Sequence, residues 1–339
     1  MTTEPLNARH WRDDQRGVYE VWYLTWNHPN GTGYWLRYTT DAPSDGEPAI
    51  AELWFARFDP ARPQRTFGVH RRFGAIDLVS EKSPFELAIG ASRLGHDRAI
   101  GELSGDGHDI CWDLRWDPAA RELRQLPDVM YARGGLGETT VVSPNPRVLM
   151  SGRLEIDGEV LDFHRAVLGQ THLWGKKHAL SWTWARCAEF EGAPDGVLEL
   201  LGVKLQRRGV TLPTLVIATL DLDGERHHFN QFRHTLGNRG SWRTGRAEFT
   251  LKNATTKVEG EFVCSHHQLV EAPYLDPDGT RVYCANTEIG DARLVISKRA
   301  GFGWREARRL ESNGRAHFET GGRERDRAVV HEHVLVQSV

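Results

Sequence analysis

The stretch YEVWYLTWNHPNGTGYWLRYTT, residues 19–40, decides the fold class. It holds two runs of aromatic and β-branched residues, 19–26 and 34–40, which are typical of β-strands. Between them lies the polar segment NHPNGTG, whose composition is typical of a turn. The stretch therefore predicts a β-hairpin, and its seven-residue loop leaves the pairing register of the two strands open.

Short runs of the same kind recur along the chain and end at Gly, Asn or Asp, the residues that favour turns. The further runs that we expect to be strands are residues 50–58, 66–73, 85–91, 99–103 and 110–116. Asp157-Gly158 and Asp223-Gly224 each predict a two-residue hairpin, because such pairs supply the positive φ angles of a type I′ turn. Asp278-Gly279 predicts a third turn of this type.

Helical periodicity is nearly absent from the sequence, and only residues 117–126 and 304–310 are candidates for short helices. Many short strands joined by turns predict antiparallel architecture closed into barrels or sandwiches. The sequence therefore predicts an all-β protein with two antiparallel β-barrels in tandem and few short helices. A barrel of this size can hold one small ligand.

The length of the chain indicates two structural units, because 339 residues exceed what one ordinary hydrophobic core serves. The run GQTHLWG, residues 169–175, interrupts the strand pattern. We therefore place the junction at residues 165–175 and predict an N-terminal domain of residues 1–170 and a C-terminal domain of residues 171–339.

Composition argues against several classes of function. Lys+Arg 43 nearly balance Asp+Glu 46, and this balance argues against nucleic acid as a partner. No run reaches the ~18 apolar residues of a membrane span, and the N-terminus lacks the apolar run of a secretory signal. We therefore expect a cytoplasmic protein without a membrane span. No glycine pattern typical of phosphate binding is present, and we expect no cofactor.

Cysteine and histidine spacing gives little evidence for metal or disulfide sites. The four cysteines lie far apart, which fits neither a disulfide framework nor a zinc site. His331 and His333 have the spacing of two ligands of one metal ion, because alternate residues of a strand share a face. No convincing third ligand accompanies them, so we expect no metal and a solvated C-terminal strand.

The segment HLWGKKHALSWTWARC, residues 172–187, is the most unusual part of the chain. If residues 178–187 form a strand, alternation puts the large side chains of His178, Trp182 and Trp184 on one face. The other face carries only small side chains. This pattern predicts a strand whose large face fills a core and whose small face borders a cavity. The alternative is that the tryptophans are simply core residues.

The pattern His-x-Trp-Gly, six residues, Trp-x-Trp-x-x-Cys over residues 172–187 resembles that of a two-domain lipocalin-like superfamily. This superfamily includes carotenoid 1,2-hydratase (hydroxyneurosporene synthase), tocopherol cyclase, the AttH-like proteins and some fungal Diels-Alderases. Residues 20–26 and 33–39 are similar to its opening hairpin. The resemblance implies two lipocalin-like barrels with a hydrophobic ligand site in a barrel or at the junction. It does not imply one reaction.

Hydration or cyclisation of an isoprenoid requires a group that protonates an alkene and a surface that stabilises the resulting cation. Indole faces do the second by cation–π attraction, and a buried carboxylic acid or a cationic histidine does the first. The residues that we expect to contact a ligand are Trp22, Trp35, Arg37, Trp174, Trp182, Trp184 and Cys187. Cys187 is otherwise a small packed thiol.

Glu20 and His172 are the candidate catalytic residues. Glu20 shares a strand face with Trp22, although it could equally form a structural ion pair with Arg37 across the hairpin. His172 could donate a proton, bind a ligand carbonyl, or be tied to a backbone carbonyl.

We therefore expect a protein that binds an elongated hydrophobic small molecule, such as an isoprenoid, a polyene or a polyketide-like compound. The enzymatic hypothesis is cofactor-independent hydration or cyclisation by a hydratase (lyase) or cyclase (isomerase). The alternative is a non-catalytic carrier of hydrophobic ligands. A third hypothesis is an interaction scaffold with fully packed barrels, and the sequence predicts no oligomeric state.

Overall fold

A computed structural model describes residues 3–74, 78–131, 138–207 and 209–336, and these residues form β-strands almost throughout. The strands are β1 (Val18–Asn27), β2 (Gly33–Ala42), β3 (Ile50–Phe58), β4 (Phe67–Gly74), β5 (Leu78–Lys82), β6 (Phe85–Ile89), β7 (Ser92–Gly95), β8 (Arg98–Gly105), β9 (His108–Trp116), β10 (Leu123–Arg124), β11 (Thr139–Ile156), β12 (Glu159–Gly175), β13 (Ser181–Cys187), β14 (Val197–Lys204), β15 (Gln206–Arg207), β16 (Val210–Thr211), β17 (Leu215–Leu222), β18 (Glu225–His228), β19 (Arg239–Arg243), β20 (Arg246–Lys252), β21 (Thr256–Val263), β22 (Val270–Leu275), β23 (Arg281–Ala300), β24 (Gly303–Gly322) and β25 (His331–Val336).

Helical structure within these ranges is limited to one α-helix and a few 3-10 turns. The helix is α1 (Phe232–Thr235), and the 3-10 turns are Glu4–Asn7, Pro63–Arg65, Asp128–Met130 and His266–Gln268. The predicted all-β class with few short helices is confirmed. Over the same part of the chain, no helix has the length and apolar character needed to cross a bilayer.

Two of the three predicted hairpin turns have the expected backbone. Asp157 and Gly158 both have positive φ angles, of 53° and 78°, and Asp223 and Gly224 have similar values. The prediction for Asp278-Gly279 is wrong, because only Gly279 has a positive φ. The Asp276 N–H donates to the carbonyl of Thr280 instead, which closes a longer turn.

Both helix predictions are wrong. Residues 117–126 have irregular backbone around the two-residue strand β10, whereas residues 304–310 lie within β24. The partner strand β23 pairs with β24 along almost its whole length. Sheet pairing over so many residues outweighs a weak local preference for helix.

The first half of the chain forms one antiparallel sheet in the order β5-β6-β7-β8-β9-β11-β12-β1-β2-β3-β4. The inner face of this sheet packs into a hydrophobic core. Along β1, Trp22, Leu24 and Trp26 enter that core, because successive side chains of a strand alternate between faces. Tyr19 and Tyr23 therefore lie on the outer face, and β1 is buried on both sides.

The second half forms a second antiparallel sheet in the order β18-β17-β14-β13-β24-β23-β21-β20-β19. Its core includes Leu198, Phe249, Phe262 and Phe318. A third apolar cluster joins the outer faces of the two sheets. Its members include Tyr19, Tyr23, Trp35 and Trp54 from the first sheet and Trp182, Trp184 and Tyr274 from the second half.

Strand pairing passes from the first sheet to the second between Gly175 and Ser181, near the predicted junction. The prediction that residues 169–175 interrupt the strand pattern is wrong, since β12 continues through them. Gly169 is needed for space, because a Cβ atom there would lie 0.8 Å from Nη1 of Arg186. The division into domains of residues 1–170 and 171–339 stays a prediction.

The last strand connects the two halves. β25 pairs in parallel with β22 through His331 and with β4 of the first sheet through His333. His333 is buried against the rings of Trp35 and Trp54, 5.4 and 5.3 Å away between centroids. The expected solvated strand is therefore wrong at His333, because β25 lies between two other strands.

The contact at Gly169 predicts a large stability effect of one methyl group. In Gly169→Ala, the new Cβ collides with the buried guanidinium of Arg186, so we expect the free energy of unfolding to fall by about 1–3 kcal/mol. Urea unfolding followed by tryptophan fluorescence measures it. Gly303→Ala is the control, because the nearest atom to its Cβ is 3.9 Å away, and we expect a change within about 0.5 kcal/mol. Equal urea midpoints for Gly169→Ala and Gly303→Ala would contradict the predicted collision with Arg186.

Candidate functional site

A cavity of about 420 Å³ lies between the two sheets. Cavities of roughly 300–1,000 Å³ are typical of small-molecule sites. Its apolar and aromatic walls come from both halves of the chain, and they include Tyr19, Val21, Tyr23, Trp35, Leu126, Met130, Val141, Leu173, Trp182, Trp184, Leu201, Val203, Leu215, Ile217 and Tyr274. Strand alternation positions them, because Tyr19, Val21 and Tyr23 are every second residue of β1. The cavity thus lies at the junction and outside the two packed cores.

Two larger depressions, of about 800 and 670 Å³, lie elsewhere on the surface. Their walls carry charged side chains that largely pair with one another, such as Arg98 with Glu86 at 3.0 Å and Arg293 with Glu261 at 3.2 Å. We regard the apolar cavity as the candidate ligand site, because buried apolar walls with a few polar groups are typical of such sites.

The two faces of β13 are used in the reverse of the predicted way. Trp182 and Trp184 line the cavity, whereas Ala185 and Cys187 pack into the core of the second sheet. Large rings reach across the junction between the sheets, while small side chains allow close packing within the second sheet. The expectation that the small face borders the cavity is therefore wrong.

Three charged or titratable side chains, Arg37, His178 and Glu319, form what we call the polar end of the cavity. The rings of Trp182 and Tyr274 contact all three side chains. Trp182 Nε1 donates a hydrogen bond to Glu319 Oε1 at 2.8 Å, and the His178 ring packs 5.2 Å from the Trp182 ring. The Arg37 guanidinium lies 4.0 Å from the centre of the Tyr274 ring, which also stacks with His178.

The surroundings of Glu319, which is partly buried, favour the neutral form of its carboxyl. Burial raises the pKa of this carboxyl above its usual 4.5, although hydrogen bonds from Trp182 and Cys284 and the charge of Arg37 act in the opposite direction. An indole N–H and a thiol are neutral donors, and they do not offset the loss of water. Glu319 therefore keeps its proton to higher pH than an exposed glutamate, as a proton donor in an apolar site requires.

Arg37 supplies a positive charge at the same end. Its Nε donates to Thr39 Oγ1 at 2.8 Å, and the residue is buried. Within the described residues, no carboxylate oxygen lies within 4.0 Å of its guanidinium nitrogens. A buried guanidinium without an acidic partner can bind an oxygen atom of a ligand.

Glu20 and His172 lie elsewhere, on the inner face of the first sheet. His172 Nε2 is 2.8 Å from Glu20 Oε1, and both side chains are fully buried. Glu20 also accepts the backbone N–H groups of His10 and Trp11, both at 2.8 Å. Burial raises the pKa of Glu20, but these hydrogen bonds outweigh it and hold the pKa below 4.5.

His172 also ties the N-terminal segment to the sheet, since its Nδ1 lies 2.6 Å from the carbonyl oxygen of Leu6. A carbonyl and an ionised carboxylate can only accept hydrogen bonds, so both ring nitrogens donate and the ring is cationic. Glu20 and His172 therefore form a buried ion pair that anchors the segment before β1. The prediction that they are catalytic stays a prediction.

The alternative ion pair between Glu20 and Arg37 is wrong. In the register of β1 and β2, Glu20 is opposite Thr40 and Arg37 is opposite Tyr23. The two side chains consequently point to different faces of the sheet.

The predicted ligand contacts fall into three groups. Trp35, Arg37, Trp182 and Trp184 meet at the cavity. Trp22 and Trp174 instead accompany the buried ion pair, since Trp22 stacks on His172 at 4.6 Å and Trp174 stacks on His10 at 3.8 Å. Cys187 is fully buried in the second core, where it does not line the cavity.

Sequence reasoning missed Glu319, Tyr274 and the outer face of β1. The outer face left a detectable pattern, because Tyr19, Val21 and Tyr23 alternate with inner residues that, apart from Glu20, are also apolar and thus indicate a strand covered on both sides. Glu319 left none, since it lies between Phe318 and Thr320 in a run without a recognisable motif.

Comparison with known proteins places this fold in the lipocalin-like superfamily, as the sequence motifs indicated. A family model described as Tocopherol cyclase-like matches residues 99–322, which is more than half of the chain. The chain therefore belongs to the Tocopherol cyclase-like family. It is also similar to Rv0493c, an uncharacterised protein of Mycobacterium tuberculosis H37Rv, with 29% identity over 294 residues, covering 84% of this chain and 82% of the relative.

Solved structures with the same fold are considerably more distant in sequence. A protein described as AttH from Nitrosomonas europaea superposes with a TM-score of 0.56 at 16% identity, covering 93% of this chain and 95% of the other. CghA, in its structure with Sch210972, gives a TM-score of 0.52 at 11% identity, covering 90% and 88%. These similarities establish the fold.

The ion pair at Glu20 predicts a stability role that is separable from ligand binding. In Glu20→Gln, His172 loses its buried counter-charge, so we expect the free energy of unfolding at pH 7 to fall by about 3 kcal/mol. Urea unfolding measures this loss. Glu86→Gln, at a half-exposed ion pair with Arg98, is the control and should change stability by less than about 1 kcal/mol. A Glu20→Gln protein as stable as the wild type would refute the anchoring role.

Glu319 predicts a pH dependence of stability. Its pKa is raised on folding, so above pH 4.5 the folded protein holds a proton that the unfolded chain has released. This contribution to stability is present at low pH and is lost as the pH rises through the folded pKa. We expect Glu319→Gln to flatten the fall in stability that begins as the pH rises above 4.5, measured by urea unfolding at a series of pH values. Glu324→Gln, at an exposed position, should leave the profile parallel to the wild type, and a parallel profile for Glu319→Gln would contradict the neutral acid.

Proposed function

We propose that the protein binds an elongated hydrophobic small molecule, of isoprenoid, polyene or polyketide-like character, in the cavity between its sheets. There it catalyses a cofactor-independent cyclisation or hydration with Glu319 as the proton donor. The observation that carries the proposal is the partly buried carboxyl of Glu319, with its raised pKa, in the wall of a mainly apolar and aromatic cavity. An acid so placed can protonate a carbon–carbon double bond of a bound ligand.

Affinity in this site comes mainly from the apolar wall. Leu126, Val141 and Ile217 are buried members of a cluster that spans both halves, and its partly buried members include Leu173, Leu201 and Leu215. Each methylene group of a ligand that leaves water for such a surface contributes roughly 0.8 kcal/mol. An extended hydrocarbon chain therefore binds with few polar contacts.

The proposed reaction is balanced without a cofactor. The Glu319 carboxyl gives its proton to one alkene carbon, so a C–H bond forms, the π bond breaks and the other carbon becomes a cation. Either a second nucleophilic group of the ligand or a water molecule then bonds to that carbon and releases a proton to the carboxylate. The first outcome is cyclisation and the second is hydration, and both regenerate the acid.

Aromatic rings around the cavity stabilise the cationic intermediate. Trp182 and Trp184 line the cavity from the second sheet, and Tyr23 packs edge-on to Trp184 at 5.5 Å between ring centroids. Cation–π attraction reaches about 2 kcal/mol or more where water is excluded. The indole N–H of Trp182 also holds the Glu319 carboxyl in place.

The second candidate function is a non-catalytic carrier that uses the same cavity. Arg37 favours it, because a buried guanidinium without an acidic partner is a suitable anchor for an oxygen atom at one end of a ligand. A carrier needs only this anchor and the apolar walls, whereas the enzyme also needs the proton of Glu319.

Filling the cavity tests the binding site. In Ala179→Trp, the added indole occupies space within the cavity, and we expect at least a ten-fold loss of affinity for N-phenyl-1-naphthylamine, a neutral fluorescent probe. Fluorescence titration measures the affinity. Ala120→Trp, which adds the same side chain at an exposed position, is the matched control and should bind as the wild type does. Equal binding by both variants would place the probe outside the cavity.

Solvent extraction and mass spectrometry separate the enzyme from the carrier. Wild type and Glu319→Gln are purified from the same host. Their extracts are compared once fluorescence titration has shown that the two proteins bind N-phenyl-1-naphthylamine with equal affinity. If the protein is an enzyme, the two extracts contain different compounds. After cyclisation these compounds are isomers of equal mass, and after hydration their masses differ by one water molecule. Identical extracts would support the carrier.

A further inference from the structure

His178 and Asp276 form a dyad at the polar end of the cavity. His178 precedes β13, and Asp276 follows β22, so the two meet only in the folded protein. Asp276 Oδ1 accepts hydrogen bonds from His178 Nδ1 at 2.6 Å and from the His178 backbone N–H at 3.0 Å. Arg323 donates to the other carboxylate oxygen at 3.3 Å. Three hydrogen bonds to the Asp276 carboxylate therefore fix its position relative to the His178 ring.

The hydrogen bonding fixes the tautomer of His178. Burial raises the pKa of Asp276, but the bonds from His178 and the charge of Arg323 outweigh it and hold the pKa below 3.8. An ionised carboxylate has no hydrogen to give, so the proton of this hydrogen bond belongs to His178 Nδ1. Burial lowers the pKa of His178 below 6.5 despite its contact with Asp276. Near neutral pH, Nε2 is therefore a bare acceptor.

Nε2 has no hydrogen-bond partner among the described residues. The imidazole ring lines the cavity and is packed between the rings of Tyr19 and Trp182, at 4.8 and 5.2 Å between centroids. A ligand that enters the cavity displaces water from this acceptor, so a ligand that donates a hydrogen bond to Nε2 is favoured over one that leaves it without a partner. The position of the ring thus indicates a hydrogen-bond donor on the ligand.

We infer that His178, oriented by Asp276, accepts a hydrogen bond from a hydroxyl group at one end of the hydrophobic ligand. This inference deepens the proposed function and rests on it. A hydroxyl group suits both neighbours, because its single oxygen atom can donate to His178 Nε2 and accept a hydrogen bond from Arg37 at the same end of the cavity. The ligand is then an elongated apolar molecule that ends in a hydroxyl group.

Two probes that differ only in this hydroxyl test the inference, namely 1-decanol and its methyl ether, 1-methoxydecane. Isothermal titration calorimetry gives the affinity of the wild type and of His178→Phe for each. The quantity compared is the ratio of the two affinities, because differences in probe hydration cancel between the two proteins. We expect the preference for the alcohol to be about ten-fold greater in the wild type, as the loss of one neutral hydrogen bond implies.

His164→Phe, at an exposed position, is the matched control and should keep the wild-type ratio. If His178→Phe does not fold because Asp276 loses a donor, the double variant with Asp276→Asn removes both partners and answers the same question. An unchanged ratio in a variant that binds both probes would overturn the inference and leave the proposed function standing. Failure of the wild type to bind either probe would overturn the proposed function and this inference together.

Discussion

The arrangement of the two sheets depends on Arg186, a fully buried cation at their junction. Arg186 belongs to β13, and its nitrogens donate to the carbonyl oxygens of Thr25 and Pro146 in the first sheet, at 3.1 and 3.3 Å. His317 of β24 completes the group, with Nδ1 3.0 Å from the guanidinium. Burial and the charge of Arg186 lower the pKa of His317, so this neutral ring can accept. Because an unpaired buried charge is costly, few placements of one sheet on the other are allowed.

This constraint explains why the cavity lies between the sheets. Each sheet fills its own interior with side chains, and β1 contributes to both the first core and the junction cluster. At the junction, rigid rings such as Trp182 and Tyr274 are held at angles set by their polar partners, and rigid rings do not collapse into every space. The volume that remains is bordered by both halves, so the site exists only in the complete fold.

The sequence predicts the strands well and the site only in part, for a physical reason. Alternation and Asp-Gly turns are local features, so the hairpin of β1 and β2 and the turn at Asp157 follow from a few adjacent residues. Gly169 shows the limit, because the same residue type serves either a turn or a close contact with a distant side chain. The polar end of the cavity depends on pairs such as Trp182 with Glu319, which are 137 residues apart. No local pattern encodes such a pair.

Glu20 and Glu319 show how the surroundings of a carboxyl decide its chemistry. Both lie close to a tryptophan in the folded protein, so proximity to an indole does not distinguish them. Glu20 receives a cationic imidazole and two backbone N–H groups, which together stabilise its anion more than burial destabilises it. Glu319 receives an indole N–H and a thiol, and burial prevails. A carboxylate already saturated with donors gives a stable anchor and a poor acid. The carboxyl with few donors, in the wall of the cavity, is the one that retains a proton to transfer.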